Sequence, residues 1–360
     1  MKNNMQILDL FCGAGGLSVG FDREGYDVVG GVDFEGAFSE TFEHNHDAEF
    51  IEADLSEVTG TRILDQLGYD PGDIDGVVGG PPCQGFSLAG AKTNPADERN
   101  FLVTNFIKSV YEMDPDWFVM ENVPRISTME DGKVLEYILS QFDKIGYNTG
   151  WSVLNAADYG VPQNRERAFF IGHKTNKNID FPEATFRKSN KQQTLFTDRE
   201  PPRTVYDAFG DLPSLEPGEE KVGYNSEPEG EYQNEMRRDN PKLTSHRAPN
   251  HGQKVVSRIE KASPGEKIPY DSWSQKRRLK YEEPAPTLLA GPRPTYHFAH
   301  PSDNRGLSVR ERARLQSFSD NYLFKGPITK QRQMTGNAVP PLLSQAVARA
   351  ISDQITPILS

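Results

Sequence analysis

Cys83 is clamped between two prolines and a glycine, in Gly79-Gly80-Pro81-Pro82-Cys83-Gln84-Gly85-Phe86-Ser87, and is one of two cysteines in 360 residues. Each proline fixes φ at about −65° and lacks a backbone N–H, and the residue before a proline is pushed out of the helical region. The segment therefore reads as a rigid, extended turn. An inert buried thiol is the commoner fate of a cysteine, but a thiol on such a turn is better placed to attack than to fill a core.

Glu121, in Glu121-Asn122-Val123, is the acid such a thiol could use. Sulfur attacks a ring and the carboxyl group protonates it. Arg165 and Arg167, in Gln163-Asn164-Arg165-Glu166-Arg167, enter a strand two residues apart and so share a face. From there they could lower the thiol's pKa and bind a carbonyl oxygen; a solvated surface pair is the plainer alternative. Asp9-Leu10-Phe11-Cys12-Gly13-Ala14-Gly15-Gly16 is a strand, a glycine turn and a helix start, a form that lets backbone approach a ligand. Asp33 follows 17 positions after Gly16, where it can hold ribose hydroxyls. Phe34 could lie on an adenine ring and Asp54 could accept from its amino group, which together describe an adenosine pocket.

The elements that must position these groups alternate. Strands are expected at Gln6–Phe11, Tyr26–Val32, Phe50–Ala53, Gly76–Gly79 and Trp117–Met120. Helices are expected from about Leu17, then at Ala37–His44, Ser56–Leu67, Asn100–Met113 and Gly132–Ile145. This alternation implies a parallel, doubly wound α/β sheet. A hairpin of Trp151–Leu154 and Ala168–Gly172, turning at Tyr159–Pro162, is expected to close it. Asp33, Asp54, Cys83 and Glu121 all follow strands, at the edge where open α/β sheets bind ligands.

From about residue 174 to 280 proline and charge dominate and periodicity weakens, so a loop-rich second domain is expected, with disordered tips near 187–200 and 216–240. Order returns with a helix over Val309–Phe318, opened by a Ser308/Glu311 capping box, and an amphipathic helix to about Ile355. No run of about 18 apolar residues exists to span a membrane, and Asp9 interrupts any signal-like start. Two distant cysteines exclude a secreted disulfide framework and point to a reducing, cytoplasmic setting. The net charge of −12 is uneven: −18 over residues 1–173, +2 over 174–300 and +4 over 301–360. Any polyanion must be met mostly by the C-terminal half.

In their order along the chain these segments resemble the DNA (cytosine-5)-methyltransferases. DLFCGAGGLSVGF is similar to that family's cofactor loop, GGPPCQGFS to its catalytic loop and ENV to its acidic motif. QNRERAFFIG is similar to its arginine motif, RERARLQSF to its late helical motif and GNAVPP to its last motif. The resemblance covers essentially all but about 175–280. It implies an S-adenosylmethionine-dependent methyltransferase, a Rossmann-like doubly wound sheet with a second, smaller target-recognition domain. Residues 1–180 with 334–360 would form the cofactor-binding and catalytic domain, and 181–333 the target-recognition, DNA-binding domain.

By the same resemblance a cytosine in double-stranded DNA is flipped out of the helix, and Cys83 adds to its carbon 6. Glu121 contacts the ring nitrogen and exocyclic amine. Arg165 and Arg167 match the family's arginines, Arg167 the one that holds the carbonyl oxygen. Carbon 5 takes the methyl group and Cys83 is expelled, with no metal. Phe11, Gly13 and Gly15 fall at the methionine end of the cofactor, Asp33 at its ribose, and Phe34, Asp54 and Leu55 at its adenine. Asn337 and Val339 return to the cofactor. Asp33 stands where many relatives have glutamate. Gln84 and Ser87 fall on the DNA side, with 87–99 closing over the base.

Local charge picks out Lys276, Arg277, Arg278 and Lys280, then Arg293, for the DNA backbone. Transfer RNA is an alternative substrate, as in a branch of the same family, but that branch's Cys-Phe-Thr sequence is absent here. A catalytically silent DNA-binding relative is the other alternative, against which the intact Cys83, Glu121 and Arg165 speak. The expected setting is a cytoplasmic, nucleoid-associated monomer, with a companion restriction endonuclease acting on the same site.

Overall fold

Seven strands, β1 (Gln6–Leu10), β2 (Asp27–Asp33), β3 (Glu49–Glu52), β4 (Gly76–Gly79), β5 (Trp117–Asn122), β6 (Asn148–Asn155) and β7 (Glu166–His173), join in the order β3-β2-β1-β4-β5-β7-β6. The computed structural model describes residues 5–82, 102–175, 177–186, 199–238, 242–269, 276–290 and 297–359. The first five strands run parallel, because helical crossovers separate them: α1 (Gly16–Arg23), α2 (Ser39–Asn45), α3 (Gly60–Leu67) and α4 (Leu102–Met113). A further helix, α5 (Lys133–Lys144), leads to β6. β7 is antiparallel to both β5 and β6. The sheet is thus doubly wound with a mixed edge. Its order reverses between β1 and β4, which is the switch point where such sheets bind ligands.

Local chemistry sets the element ends. The helix expected from Ser56 starts instead at Gly60, because Asp54 Oδ1 takes up the Ser56 N–H at 2.8 Å and hydroxyl at 2.7 Å in a turn of its own. Thr59 then caps α3 by accepting from Arg62 N, and Gly68 ends it at φ 81°. β5 runs two residues beyond Met120 because β7 pairs with Glu121 and Asn122. Strand and helix side chains such as Leu8, Leu10, Val77, Phe106, Phe118, Met120, Ile138 and Phe142 make one buried core.

The chain divides into two compact units, 1–155 with 166–183 and 344–360, and 156–165 with 184–343. The second holds α6 (Val205–Phe209), α7 (Glu231–Arg237), α8 (Gln253–Glu260), α9 (Val309–Leu315) and α10 (Ile328–Asn337), with a two-stranded parallel pair, β8 (Arg277–Arg278) and β9 (Phe298–Ala299). The last helix, α11 (Pro341–Leu359), starts in the second unit and continues in the first. Of the tip expected to be disordered near 216–240, residues 216–230 carry no named helix or strand, whereas 231–237 form α7. Tyr232 and Met236 of α7 are buried with Val205, Phe209 and Leu315, and Arg237 pairs with Asp211 at 2.7 Å. The other expected tip falls largely on 187–198, outside the described residues.

Charge also lies deep in the second unit. The Ser308/Glu311 capping box is present, and every residue of α9 is buried, its three arginines included. Arg314 is fully enclosed between Asp211 and Asp320, with Nη2 2.6 Å from Asp320. Arg305 meets Glu311 at 2.7 Å, which holds the Glu311 carboxyl far below the usual carboxylate range against the cost of burial. Among the described residues no helix is long and apolar enough to cross a membrane.

Candidate active site

The glycine loop expected at the cofactor is built at the end of β1. Phe11 turns the chain at φ 59°, and Gly13 and Gly15 follow at 55° and 75°. Glycine is required twice over at 15, because His46 Nε2 lies 2.3 Å from where its Cβ would be. The loop is pinned by Gly15 N–H to Cys12 O at 2.8 Å and Cys12 N–H to Val32 O at 3.1 Å.

Asp33 closes this loop from β2. Its Oδ2 accepts from Gly13 N–H at 2.9 Å and its Oδ1 from Glu35 N–H at 3.0 Å. Each oxygen has a second lone pair, so two neighbouring acceptor positions suit the vicinal hydroxyls of a ribose. Burial raises the Asp33 pKa and the two N–H donors oppose that rise. Phe34 beside it leaves 65% of its surface exposed, an open ring face for a flat base. Asp54 spends Oδ1 on Ser56, while Leu55 is buried in the core below. The donor set and the tight glycine cradle fit an adenosine-bearing cofactor.

Cys12 belongs to the same loop but has the opposite character to a nucleophile. Burial, with Asp9 and Asp33 nearby, pushes its thiol well above the ordinary value, so it stays protonated and unreactive. Asp9 is itself buried, takes the Ser18 hydroxyl at 2.6 Å, and is pushed up to about 7 by desolvation.

The acid side is built between β5 and β7. Glu121 pairs with Phe169 in the ladder, so Arg167, two residues along β7, is its diagonal neighbour on the same face. Arg167 Nε lies 2.7 Å from Glu121 Oε1, with both side chains 12–13% exposed. The strand also fastens the approach to the thiol. Asn122 Nδ2 donates to Pro81 O at 2.9 Å, and Glu121 Oε2 lies 3.0 Å from where a Cβ on Gly80 would be. Cys83, Gln84 and Ser87 lie outside the described residues, as does Arg293.

Arg165 and Arg167 do not share partners. Arg165 belongs to the second unit and is 1% exposed. Its guanidinium donates to the carbonyls of Leu288, Gly336 and Asn337 at 3.1, 2.9 and 3.2 Å. Arg278 departs from its expected place on DNA for the same reason. It is 7% exposed and donates to the carbonyls of His300, Pro301, Ala262 and Ser302, holding the loop after β9. Arg277 and Lys280 border a cleft of about 170 Å³ with Glu283, Pro284 and Pro286, and Lys280 meets Glu283 at 3.0 Å. Lys276 precedes them, half-buried. Asn337 ends α10 with an exposed side chain, while Val339 is buried.

The contacts that fasten these groups join residues distant in sequence, which motif spacing does not encode. Asn122 in the first unit, and Gln163, Arg312 and Gln316 in the second, bond to backbone carbonyls. One signal was available: Asn122 follows Glu121 directly, at a strand end that faces the Pro-Pro turn.

A sequence profile of the C-5 cytosine-specific DNA methylase family matches residues 5–353. The Type II methyltransferase M1.HphI of Haemophilus parahaemolyticus is 35% identical over 97% of this chain and 87% of its own length. The Type II methyltransferase M.MthTI of Methanothermobacter thermautotrophicus is 31% identical over 99% of this chain and all of its own. Among solved structures, a prophage-encoded E. coli protein described as a DNA modification methyltransferase superposes with a TM-score of 0.79 at 26% identity, covering 98% of this chain and 100% of that one. The S. pombe Dnmt2 methyltransferase, at 16% identity and a TM-score of 0.62 over 99% of both chains, shares the fold. The chain is therefore a DNA (cytosine-5-)-methyltransferase and belongs to the C-5 cytosine-specific DNA methylase family.

Proposed function

We propose that this chain methylates carbon 5 of one specific cytosine in double-stranded DNA, through a covalent bond from Cys83 to carbon 6 of a base swung out of the helix. The observation that carries this is the junction of β4 and β5. Glu121 is held by Arg167 at 2.7 Å, and the Gly80–Pro81 backbone that leads into Cys83 is tied to Asn122. An acid, a carbonyl-binding cation and the root of the nucleophile's turn therefore meet on one sheet edge.

Carbon 5 of cytosine is a weak nucleophile until carbon 6 is saturated. Cys83 as thiolate forms the S–C6 bond, and the ring's electron pair moves toward carbon 5 and the ring nitrogen. Glu121 hydrogen-bonds that nitrogen and the exocyclic amine as charge develops, and Arg167 turns its remaining donors to the carbonyl oxygen. S-adenosylmethionine supplies an electrophilic methyl group. Loss of the carbon 5 proton to solvent then restores the ring as the S–C6 bond breaks and Cys83 leaves as thiolate. Phe11, Gly13, Gly15, Asp33, Phe34 and Asp54 with Leu55 hold the donor in this account, together with Asn337 and Val339.

For the DNA backbone the account keeps Lys276, Arg277, Lys280 and Arg293, with Gln84 and Ser87 on the base side, and drops Arg278, whose donors are spent on carbonyls. The names of the Type II relatives support a role paired with a restriction endonuclease. The test is transfer of label from S-adenosylmethionine to duplex DNA, followed by sequencing of the modified base. Transfer to cytosine in one sequence context, abolished by Cys83→Ser, is the expected result. Label that goes to transfer RNA in competition, or transfer that survives Cys83→Ser, overturns it.

A further inference from the structure

Two backbone stretches of the second unit approach more closely than side chains permit. A Cβ on Gly336 would lie 2.7 Å from the Cα and N of Ala290 and from the carbonyl oxygen of Leu289. Four buried side chains close around this crossing. Arg165 spans it, donating to Leu288 O on one side and to Gly336 O and Asn337 O on the other. Arg312 spans it again, to Leu289 O at 3.0 Å, Arg332 O at 3.1 Å and Thr335 Oγ1 at 3.0 Å.

Two amides complete the set. Gln316 donates to Thr335 O at 2.8 Å. Gln163 donates to Gln316 Oε1 and Leu315 O, both at 3.0 Å, and accepts from Leu288 N–H at 2.9 Å. Arg165 and Arg312 are 1% and 3% exposed, and the two glutamines are fully buried. Burying guanidinium groups is costly, and apolar side chains of similar volume would often be as stable. What a guanidinium adds is a rigid planar fork of donors that fixes several carbonyls in direction at once. The polar atoms therefore buy the course of one segment, Thr335–Ala338.

We infer that Gln163, Arg165, Arg312 and Gln316 form one positioning bracket for Thr335–Ala338, and that Arg165 governs cofactor affinity through this segment instead of holding the cytosine. This rests on the reading of Asn337 and Val339 as cofactor residues. Arg165 is a positioning residue on this account, and Arg167 the one that touches the base.

The experiment compares Arg165→Gln, Arg165→Lys, Gln316→Met, Arg167→Gln and Asn337→Ala in the full chain. The readouts are the S-adenosylmethionine dissociation constant by calorimetry, the single-turnover methylation rate at saturating cofactor, and the melting temperature. Arg165→Gln and Gln316→Met should each weaken cofactor binding by about tenfold, as expected for lost charge-assisted or buried hydrogen bonds. Methylation at saturating cofactor should be largely retained, and Arg165→Lys should recover part of the loss. Arg167→Gln should do the reverse, losing the rate and keeping cofactor affinity.

Arg165→Gln that behaves like Arg167→Gln overturns the bracket. So does unchanged cofactor affinity in both Arg165→Gln and Gln316→Met. If Arg165→Gln does not fold, Gln316→Met and Arg165→Lys carry the same comparison. Asn337→Ala separates the two readings. Unchanged affinity in Asn337→Ala alone removes Asn337 from the cofactor and leaves the bracket standing, whereas weakened affinity there with none in the bracket variants removes the bracket.

Discussion

Arg167 Nε and Glu121 Oε1 meet at 2.7 Å across antiparallel β5 and β7, each about one-eighth exposed. The contact sets a carboxyl group beside a guanidinium donor, the pattern needed for a ring nitrogen and amine beside a carbonyl. The two residues therefore act as a unit. Glu121→Gln and Arg167→Gln should each lower single-turnover methylation by about 10²–10⁴-fold, in the range for a lost acid–base group, with cofactor affinity unchanged. The double variant should lose little more than either single one. Fully additive losses would show that the pair does not work together.

Asp33 offers a cleaner separation of binding from chemistry. Its two oxygens already take the N–H groups of Gly13 and Glu35, so Asp33→Asn sets an amide nitrogen against one backbone donor. The variant should weaken S-adenosylmethionine binding by about tenfold or more, given charge-assisted bonds of about 1.5–3 kcal/mol. DNA affinity should not change. Calorimetry with and without DNA checks both; unchanged cofactor affinity would remove the ribose from Asp33.

Asp9 makes stability depend on pH. Burial lifts its folded pKa to about 7 from 3.8, so the folded chain binds the proton more tightly than the unfolded one. That contribution is fully present below the unfolded pKa and is lost as pH rises through the folded value, a window from about 4 to 7. Asp9→Asn does not titrate and keeps an acceptor for Ser18. Its stability relative to the parent should therefore improve as pH rises from 5 to 8, by on the order of 1–4 kcal/mol. Urea unfolding at several pH values reads the difference directly, and a pH-independent difference would rule Asp9 out as the titrating group.

Much of the first unit was legible because its signals are local. β4 was expected at Gly76–Gly79 and occurs there, since a short apolar run ended by Pro-Pro admits few alternatives. β5 was read short because its last two residues are polar, and their partner lies more than forty residues away on β7. The second unit was less legible. Its core is closed by arginines on carbonyls and carboxylates, and an arginine in a sequence looks the same whether it faces water, as Arg349 largely does, or lies enclosed like Arg314. Arg278, in a basic run yet 7% exposed, is such a case. Partners distant in sequence decide such cases, and spacing alone does not encode them.

Gly20 tests the fastening of α11 to the first unit. A Cβ there would lie 2.4 Å from Gln345 N and from Ser344 Cβ and Oγ, while Ser344 Oγ donates to Leu17 O at 2.6 Å and Tyr26 Oη to Ala348 O at 3.1 Å. Gln345 N is backbone, so no side-chain rotation removes the clash. Gly20→Ala should therefore push the two helices apart and cost about 1–3 kcal/mol, the usual range for overpacking, despite alanine's better helix propensity. Adding Ser344→Gly should not restore stability, because Gln345 N remains in the way. Gly223→Ala, where a Cβ meets nothing within 4 Å, should stay within about 0.5 kcal/mol of the parent. Chemical denaturation of the three variants decides the matter: a stable Gly20→Ala would mean that α11 is not seated this tightly on α1.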